Sequence, residues 1–190
     1  MSSVGWISNT LRVPGTANCS EVSVARHALA LDERRAFFRT NRFRSVGRRK
    51  GNMAAGDLKE VWFAGVHSDV GGGYPASADP GGDLWKFSLA WMLREAEASG
   101  LLVDAARRAK VLGRDPDPDA PRHESLVGWW RLAEFLPRKV GVPAADGTWR
   151  RTWRINLFGA RPLSVGDSVH WSAAARAGYA KRLSGMAVER

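Results

Sequence analysis

The chain has 190 residues, which is enough for one ordinary domain and short for two, and its 44% hydrophobic and 25% charged residues allow a sizeable core. The single cysteine, Cys19, excludes an internal disulfide, and no apolar run reaches the roughly 18 residues that a membrane-spanning helix needs. The formal net charge of +10 suits an anionic partner such as phospholipid or nucleic acid, but a solvated arginine-rich surface explains it as well.

The first half of the chain is predicted to contain a helix, an exposed loop and a buried strand. Residues 1–7 (MSSVGWI) are typical of the end of a strand. Residues 20–38 carry apolar side chains at helical spacing, and Ser20 can cap the start of that helix. Residues 39–57 are basic and contain glycine, which predicts an exposed loop. Residues 61–66 (VWFAGV) form a short, β-prone apolar run, as expected of a strand buried on both faces.

The second half of the chain is predicted to contain three helices and one strand. The overall order of helix, strand, helix, helix, strand and helix favours an α/β fold with a mainly parallel sheet flanked by helices. No linker clearly divides the chain, so we expect residues 1–190 to form a single domain. The predicted elements are a helix capped by Asp83 and stopped by Gly100, a polar loop over residues 113–122, a helix over residues 126–136, a strand over residues 149–158 and a helix that begins at Ser172.

The most informative stretch is VWFAGVHSDVGGGYP, residues 61–75. A buried strand runs directly into polar residues, and Asp69 follows Val66 by three positions, where open α/β sheets carry their functional groups. The glycines at 71–73 permit positive φ angles and let other groups approach the acid closely. We therefore expect Asp69 to be a functional carboxylate. The alternative is a tight turn whose aspartate satisfies its own backbone amides.

The run from Trp62 to Tyr74 resembles the signature of an uncharacterised α/β-hydrolase domain family that includes the phospholipase effectors of bacterial type VI secretion systems. The resemblance extends over nearly the whole chain. It implies the C-terminal portion of an α/β-hydrolase fold, so that residues 1–190 form a single partial domain. The other matching segments are residues 26–38 and 89–101, which resemble the helices before and after the signature, and residues 122–138 and 167–176, which resemble two later segments that contain histidine.

The resemblance implies a hydrolase of carboxylic esters, such as phospholipids, with a Ser-Asp-His triad. Asp69 matches the triad acid and His170 matches the triad histidine, in the chain order that α/β-hydrolases use. His123 is the alternative base. In such a triad the histidine takes the proton of the nucleophile and later gives it to the leaving alcohol, while the acid holds the ring in the correct tautomer.

Four further residues beside the acid are expected to support the site. His67 lies two positions before Asp69, so the two side chains share a face if the strand continues, and His67 either orients the acid or has a structural role. The other three are turn residues that let neighbouring groups come close. These turn residues are Gly71, Gly72 and Gly73.

The resemblance also predicts that the nucleophile lies outside this sequence. The family carries its serine in a Gly-x-Ser-x-Gly elbow, and none of the 190 residues belongs to such an elbow. Residues 2–7 (SSVGWI) resemble the strand that follows the nucleophile helix. We therefore expect the chain to supply the triad acid and histidine and to be inactive alone. The alternative is a catalytically dead remnant, or an interaction module with a basic, Trp-rich surface.

Other candidate sites have less support. Ser68 neighbours the acid but lacks the geometry of an elbow, and residues 166–168 (GDS) follow no apolar strand, although they superficially resemble the start of another lipase motif. Asp115, Asp117 and Asp119 alternate like a calcium loop but lack its glycine and its terminal glutamate, which favours a solvated loop. No Cys/His cluster predicts a zinc site, and we expect neither a metal nor a cofactor.

The expected partners follow from the family resemblance and from the incomplete sheet. The basic stretch Arg42–Lys50 is accompanied by no nucleic-acid-binding motif, so we expect a solvated loop there and no nucleic-acid partner. Besides an ester or phospholipid substrate, we expect a complementing N-terminal chain or self-association, because loss of the first strands leaves an unpaired sheet edge. Residues 1–15 show no secretory signal, which favours a cytoplasmic location or export by a signal-peptide-independent secretion system.

Overall fold

Strands from both halves of the chain meet in one parallel sheet in the computed structural model. The predicted α/β architecture, a mainly parallel sheet flanked by helices, is therefore confirmed. Residues 1–7 and most of the predicted loop 39–57 lie outside the described residues. The structure describes residues 22–36, 38, 40, 42, 57–78, 82–143, 149–164 and 166–190, and of residues 138–143 and 149–151 it describes the backbone alone.

The described strands form a four-stranded sheet and a separate two-stranded hairpin. The sheet has the order β1-β2-β5-β6, and all three of its pairings are parallel. The hairpin pairs β3 with β4 in antiparallel register, so the strand predicted over residues 149–158 forms but does not join the main sheet. The strands are β1 (Val24–Ala30), β2 (Asp57–Phe63), β3 (Arg138–Pro143), β4 (Trp149–Arg154), β5 (Ser168–His170) and β6 (Ala187–Glu189).

The helix predicted over residues 20–38 is wrong, because this segment contains strand β1. Alanine and leucine give residues 24–31 a good intrinsic helix propensity, but propensity is weak against tertiary contacts. Residues 24–30 pair in register with all seven residues of β2, from Val24 opposite Asp57 to Ala30 opposite Phe63. The end of this strand is buried between β2 and the packed layers on both faces, as is usual for a strand of a parallel sheet.

Two hydrophobic clusters lie on opposite faces of the sheet. Successive side chains of a strand point to opposite faces, and β2 shows this directly. Trp62 packs in one cluster with Leu29, Val169 and Tyr179. Val61 and Phe63 pack in the other, against the long helix that follows β2. That second cluster contains Val61, Phe63, Leu84, Phe87, Trp91 and Ala120.

The helices flank the sheet, and among those in the described residues only α2 exceeds ten residues. The helix predicted after Asp83 is confirmed, whereas those predicted over residues 126–136 and from Ser172 shrink to short turns of helix. In the part of the chain that the structure describes, no helix is long and apolar enough to cross a membrane. The helices are α1 (His67–Gly71), α2 (Trp85–Ala98), α3 (Ala105–Leu112), α4 (Trp129–Ala133) and α5 (Trp171–Ala174), followed by a 3₁₀ turn (Ala177–Tyr179).

Candidate active site at the carboxyl ends of the parallel strands

A tight turn joins β2 to α1 and fixes Asp69. Gly65 has φ +102°, and a Cβ atom there would lie 2.5 Å from Cβ of Asp69, so this position accommodates no side chain. The buried Asp69 accepts a hydrogen bond from the backbone N–H of Val66 at 2.9 Å, which satisfies a free donor at the start of α1. The turn ends at Gly72, whose φ of +76° closes the helix in the left-handed region.

The loop after β1 brings two further carboxylates to the same edge of the sheet. Asp32 and Glu33 lie two and three residues after the end of the strand, and both are buried. Asp32 accepts the backbone N–H of Gly65 at 2.7 Å, so it ties the loop after β1 to the turn after β2. Because β1 and β2 are parallel, their carboxyl ends lie side by side, which is where open α/β sheets carry functional groups.

Glu33 forms a carboxylate–histidine pair with His67, the first residue of α1. Glu33 Oε2 lies 2.5 Å from His67 Nδ1, and the Glu33 side chain has no exposed surface. Burial acts to raise the pKa of the Glu33 carboxyl, but the hydrogen bonds from His67, Arg35 and Ser125 outweigh burial and hold that pKa well below its usual range. Glu33 is therefore an ionised, fixed acceptor at neutral pH.

The His67 ring is held on one side and open on the other. Phe38 stacks on it with ring centroids 4.6 Å apart, and Ser68 Oγ lies 3.1 Å from Nε2. Arg35 Nη2 lies 2.8 Å from Nδ1, so a proton on Nδ1 favours the bond to Glu33, whereas an unprotonated Nδ1 accepts from Arg35. The side chain remains 39% exposed, which leaves room for a reacting group beside the ring.

Asp69 forms a second carboxylate–histidine pair, with His123. Asp69 Oδ1 lies 2.6 Å from His123 Nδ1, and the backbone N–H of His123 donates to Oδ2 at 3.1 Å. Tyr74 stacks on the His123 ring at 3.7 Å between centroids. This pair fastens the loop that carries His123 to α1, and the His123 side chain is 52% exposed.

His170 lies in the core, and within the described residues its ring bonds to Ser172 and not to Asp69. Nδ1 lies 2.8 Å from Ser172 Oγ, and the ring stacks on Phe63 at 4.6 Å. Burial lowers the pKa of His170 to about 4, so the ring is neutral at pH 7. The geometry thus brings Asp69 to His123, the alternative base from the sequence, rather than to His170.

Some of the other residues that the sequence singled out make contacts that stabilise the fold. Of the three turn glycines, Gly72 has a positive φ that favours glycine. A Cβ atom at Gly73 would lie 3.1 Å from the Ser68 side chain, whereas one at Gly71 would meet open space. Asp167 is buried and accepts the indole N–H of Trp62 at 3.2 Å. Asp117 accepts the backbone N–H of Asp119 within its own loop. Within the described ranges, no three His, Cys, Asp or Glu side chains cluster in a way that would hold a metal ion.

A cleft of about 780 Å³ opens beside His67, between β1 and the helices α1 and α2. Its walls are mainly apolar, and its size is within the range of small-molecule sites. His67 and Tyr74 line it, but His123 and His170 do not. The residues that form its apolar wall include Ala28, Val70, Trp85, Leu89 and Met92.

The sequence pattern around Glu33 indicates a functional carboxylate, but the prediction of a helix over residues 20–38 obscured it. The apolar stretch before it ends in two adjacent acids, Asp32 and Glu33. Read as a buried strand, that stretch presents the same pattern as β2 and Asp69, an apolar run followed at once by carboxylates at a sheet edge. Read as a helix, the two acids look like ordinary solvated residues.

The fold and the site define an α/β protein with carboxylate–histidine pairs at the ends of parallel strands, an arrangement suited to general acid–base chemistry. Comparison with protein families then specifies the family: residues 1–95, half of the chain, match the model of the type VI secretion system phospholipase effector Tle1-like catalytic domain. The chain belongs to this family, as its sequence signature indicated. Searches of curated proteins and of solved structures returned no match.

Proposed function

We propose that the chain provides the acid–base part of a lipid esterase site, with His67 as the general base and Glu33 as the carboxylate that orients it. The observation that carries this proposal is the bond between the buried, ionised Glu33 and the half-exposed His67 beside an apolar cleft. Family membership supports a phospholipid as the substrate class and export by a type VI secretion system as the delivery route.

His67 fits the role of base better than the other three histidines. His27 pairs with Glu60 and lines the cleft, but it lies within β1 and not at the carboxyl ends of the strands. The base must have one ring nitrogen on a carboxylate and the other within reach of the reacting hydroxyl. His170 is buried and has no carboxylate partner among the described residues. His123 has its carboxylate, Asp69, but lies outside the lining of the cleft, whereas His67 has both features.

The chemistry assigned to the pair is proton transfer during acyl transfer. With its proton on Nδ1, His67 donates to Glu33, and Nε2 is the acceptor. Ser68 Oγ lies 3.1 Å from Nε2 in this structure, and in the proposal the attacking hydroxyl takes its place. The resulting imidazolium is stabilised by the Glu33 carboxylate, and it then protonates the leaving alcohol. Asp69 and His123 act in this proposal as a clamp that fixes α1, and with it His67, against the loop after α3.

The nucleophile in this proposal comes from a segment that carries a serine elbow, since the 190 residues contain no Gly-x-Ser-x-Gly sequence. The chain alone is then expected to release no fatty acid from vesicles. Turnover by the purified chain would show that the nucleophile lies within these residues. Sequencing the genomic DNA upstream of Met1 tests directly for an in-frame elbow.

The decisive assay uses the chain together with the elbow-carrying segment and measures fatty acid release from phosphatidylethanolamine–phosphatidylglycerol vesicles. We expect His67→Ala to lower kcat at least about 10³-fold, because removal of a triad histidine removes the proton acceptor. His123→Ala and His170→Ala serve as matched controls and are expected to lower kcat less than about tenfold once folding is corrected for. Equal activity of His67→Ala and wild type would reject His67 as the base.

A second candidate, an interaction module without catalysis, is favoured by one observation. Apolar side chains in and around α4 are exposed, with Trp129 at 84% and Leu132 at 58%. Contiguous exposed apolar residues mark contact surfaces on soluble proteins. The absence of any hydrolysis with every elbow-carrying segment tested would favour this candidate over the first.

A further inference from the structure

The lining of the cleft beside His67 includes charged side chains as well as an apolar wall. Among the described residues, two arginines line it, Arg26 and Arg161. Arg26 is neutralised, since it bonds to Glu95 at 2.5 Å and also to Asp57. Arg161 forms no ion pair with any carboxylate among the described residues. The two arginines therefore differ in whether their charge is available to a ligand.

Arg161 is held by backbone carbonyls, which fix its position without cancelling its charge. Nη1 donates to the carbonyl of Ala30 at 2.7 Å and Nη2 donates to the carbonyl of Phe38 at 2.5 Å. A guanidinium has five N–H donors, so these two bonds leave about three for another acceptor. The bond to Ala30 also anchors Arg161 at the carboxyl end of β1, the edge that carries Glu33.

The charge of Arg161 persists at neutral pH in a partly desolvated place. Burial lowers the pKa of Arg161 to about 10, which leaves the guanidinium protonated at pH 7. Because a charge shielded from water interacts more strongly with an opposite charge, an anion in the cleft gains more from Arg161 than from an exposed arginine. Guanidinium groups bind phosphate oxygens in a bidentate geometry, which adds orientation to the attraction.

We infer that Arg161 binds the phosphate group of a phospholipid whose acyl chain lies along the apolar wall of the cleft. The inference rests on the proposed function and extends it, since it assigns one side chain to the anionic group of the substrate. The guanidinium supplies a cation for the phosphate, and Val70, Leu89 and Met92 supply an apolar surface for the chain. His67 lines the same cleft, so a lipid held in this way has its ester in the cavity that contains the base.

The experiment measures binding rather than turnover, so it remains informative if the proposed function fails. Calorimetric titrations of the full chain use three probes: dihexanoyl phosphatidylglycerol, dihexanoylglycerol, which lacks the phosphate, and inorganic phosphate. The variants are Arg161→Gln and, as a matched control, Arg182→Gln. Arg182 also bonds to a backbone carbonyl, that of Leu31 at 2.8 Å, but it is paired with Asp32 and does not line the cleft.

Arg161→Gln is expected to weaken phosphatidylglycerol binding at least about tenfold, the loss typical of a charge-assisted hydrogen bond, and to leave dihexanoylglycerol binding unchanged. Arg182→Gln is expected to change neither affinity by more than about twofold. The inference would be overturned if Arg161→Gln bound phosphatidylglycerol with wild-type affinity. It would also be overturned if inorganic phosphate bound as tightly as the lipid, because that result indicates a site for free phosphate.

A second measurement on the wild type covers the case in which Arg161→Gln does not fold. Added salt screens a phosphate–guanidinium contact but not an apolar one. The affinity for phosphatidylglycerol is therefore expected to fall between 50 mM and 500 mM NaCl (about tenfold in ionic strength), while that for dihexanoylglycerol does not. Equal salt dependence of the two would reject a role for the phosphate. Lipid binding that depends on Arg161, together with wild-type activity of His67→Ala in the vesicle assay, would reject the proposed function and retain this inference.

Discussion

At the scale of single residues, the three histidines near the strand ends differ in what their surroundings let them do. The ring of His67 combines a buried carboxylate partner with an open side, and that of His123 is held between Asp69 and Tyr74. His170 is enclosed by aromatic rings and bonds to a hydroxyl. Residue type alone does not separate the roles proposed for them, because the chemistry of an imidazole depends on its partners and its exposure.

His170 makes a specific contribution to the dependence of stability on pH. Its pKa is about 4 in the folded chain and near 6.5 when unfolded, so acidification protonates the unfolded state first. The stabilisation by neutral His170 is complete above pH 6.5 and is lost as the pH falls from 6.5 to 4. We expect urea unfolding to show a loss of roughly 3 kcal/mol over this interval from this group.

His170→Asn is the matched variant for this prediction. The asparagine side chain can retain the hydrogen bond to Ser172 but has no proton to gain in this range. We expect the variant to be less stable than the wild type at pH 7, because it fills less of the core, and to lose less stability between pH 6.5 and 4. Parallel stability–pH curves for the two proteins would refute this role for His170.

At the scale of elements, the turn between β2 and α1 sets the position of both His67 and Asp69, and Gly65 is its critical residue. An alanine there must adopt a positive φ and bring its Cβ within 2.5 Å of the Asp69 side chain. We expect Gly65→Ala to destabilise the chain by about 2 kcal/mol or more and to displace Asp69. Denaturant unfolding measures the loss.

Gly71→Ala, at the end of the short helix that follows the turn, provides the control for that prediction. A Cβ at Gly71 meets no atom within 4 Å, so we expect a change within about 0.5 kcal/mol. If both substitutions cost the same, the turn does not depend on the conformation of Gly65. The sequence predicts that the glycines at residues 71–73 support the site, and the structure adds Gly65 as a position that requires glycine. The triple run is conspicuous, whereas the strain at Gly65 depends on the return of the Asp69 side chain toward its own turn.

At the scale of the whole molecule, the sequence was sufficient for the architecture and the family but not for the pairing of acids with histidines. The strand predicted over residues 61–66 and the helix predicted after Asp83 are local patterns, and both elements form, although β2 ends at Phe63 and the predicted side-chain cap of α2 is absent. Residues 24–30 form the strand β1 because they pair with β2, whereas their own composition favours a helix. A prediction from local propensity therefore assigns them the wrong structure. The bond between Glu33 and His67 depends on that strand and joins residues 34 positions apart, which no local pattern reveals.

The sheet also determines how the molecule is expected to associate. In the described part of the chain, β1 and β6 are the two edge strands, and they differ in length: seven residues against three. A long edge offers a row of backbone donors and acceptors to another chain, whereas a very short edge does not. We therefore expect the apparent mass in light scattering to rise with concentration through contacts at β1.

Substitutions of two exposed valines, one on each edge strand, test whether association uses β1. Val24 starts β1 and is 38% exposed, and Val188 lies in β6 and is 57% exposed. A lysine on an edge strand disfavours pairing, so Val24→Lys should shift the chain toward monomer at a given concentration, and Val188→Lys should not. A wild-type chain that stays monomeric throughout, or equal effects of the two lysines, would show that the free edge of β1 does not drive association. An effect of Val24→Lys alone would identify β1 as the edge through which copies of the chain associate.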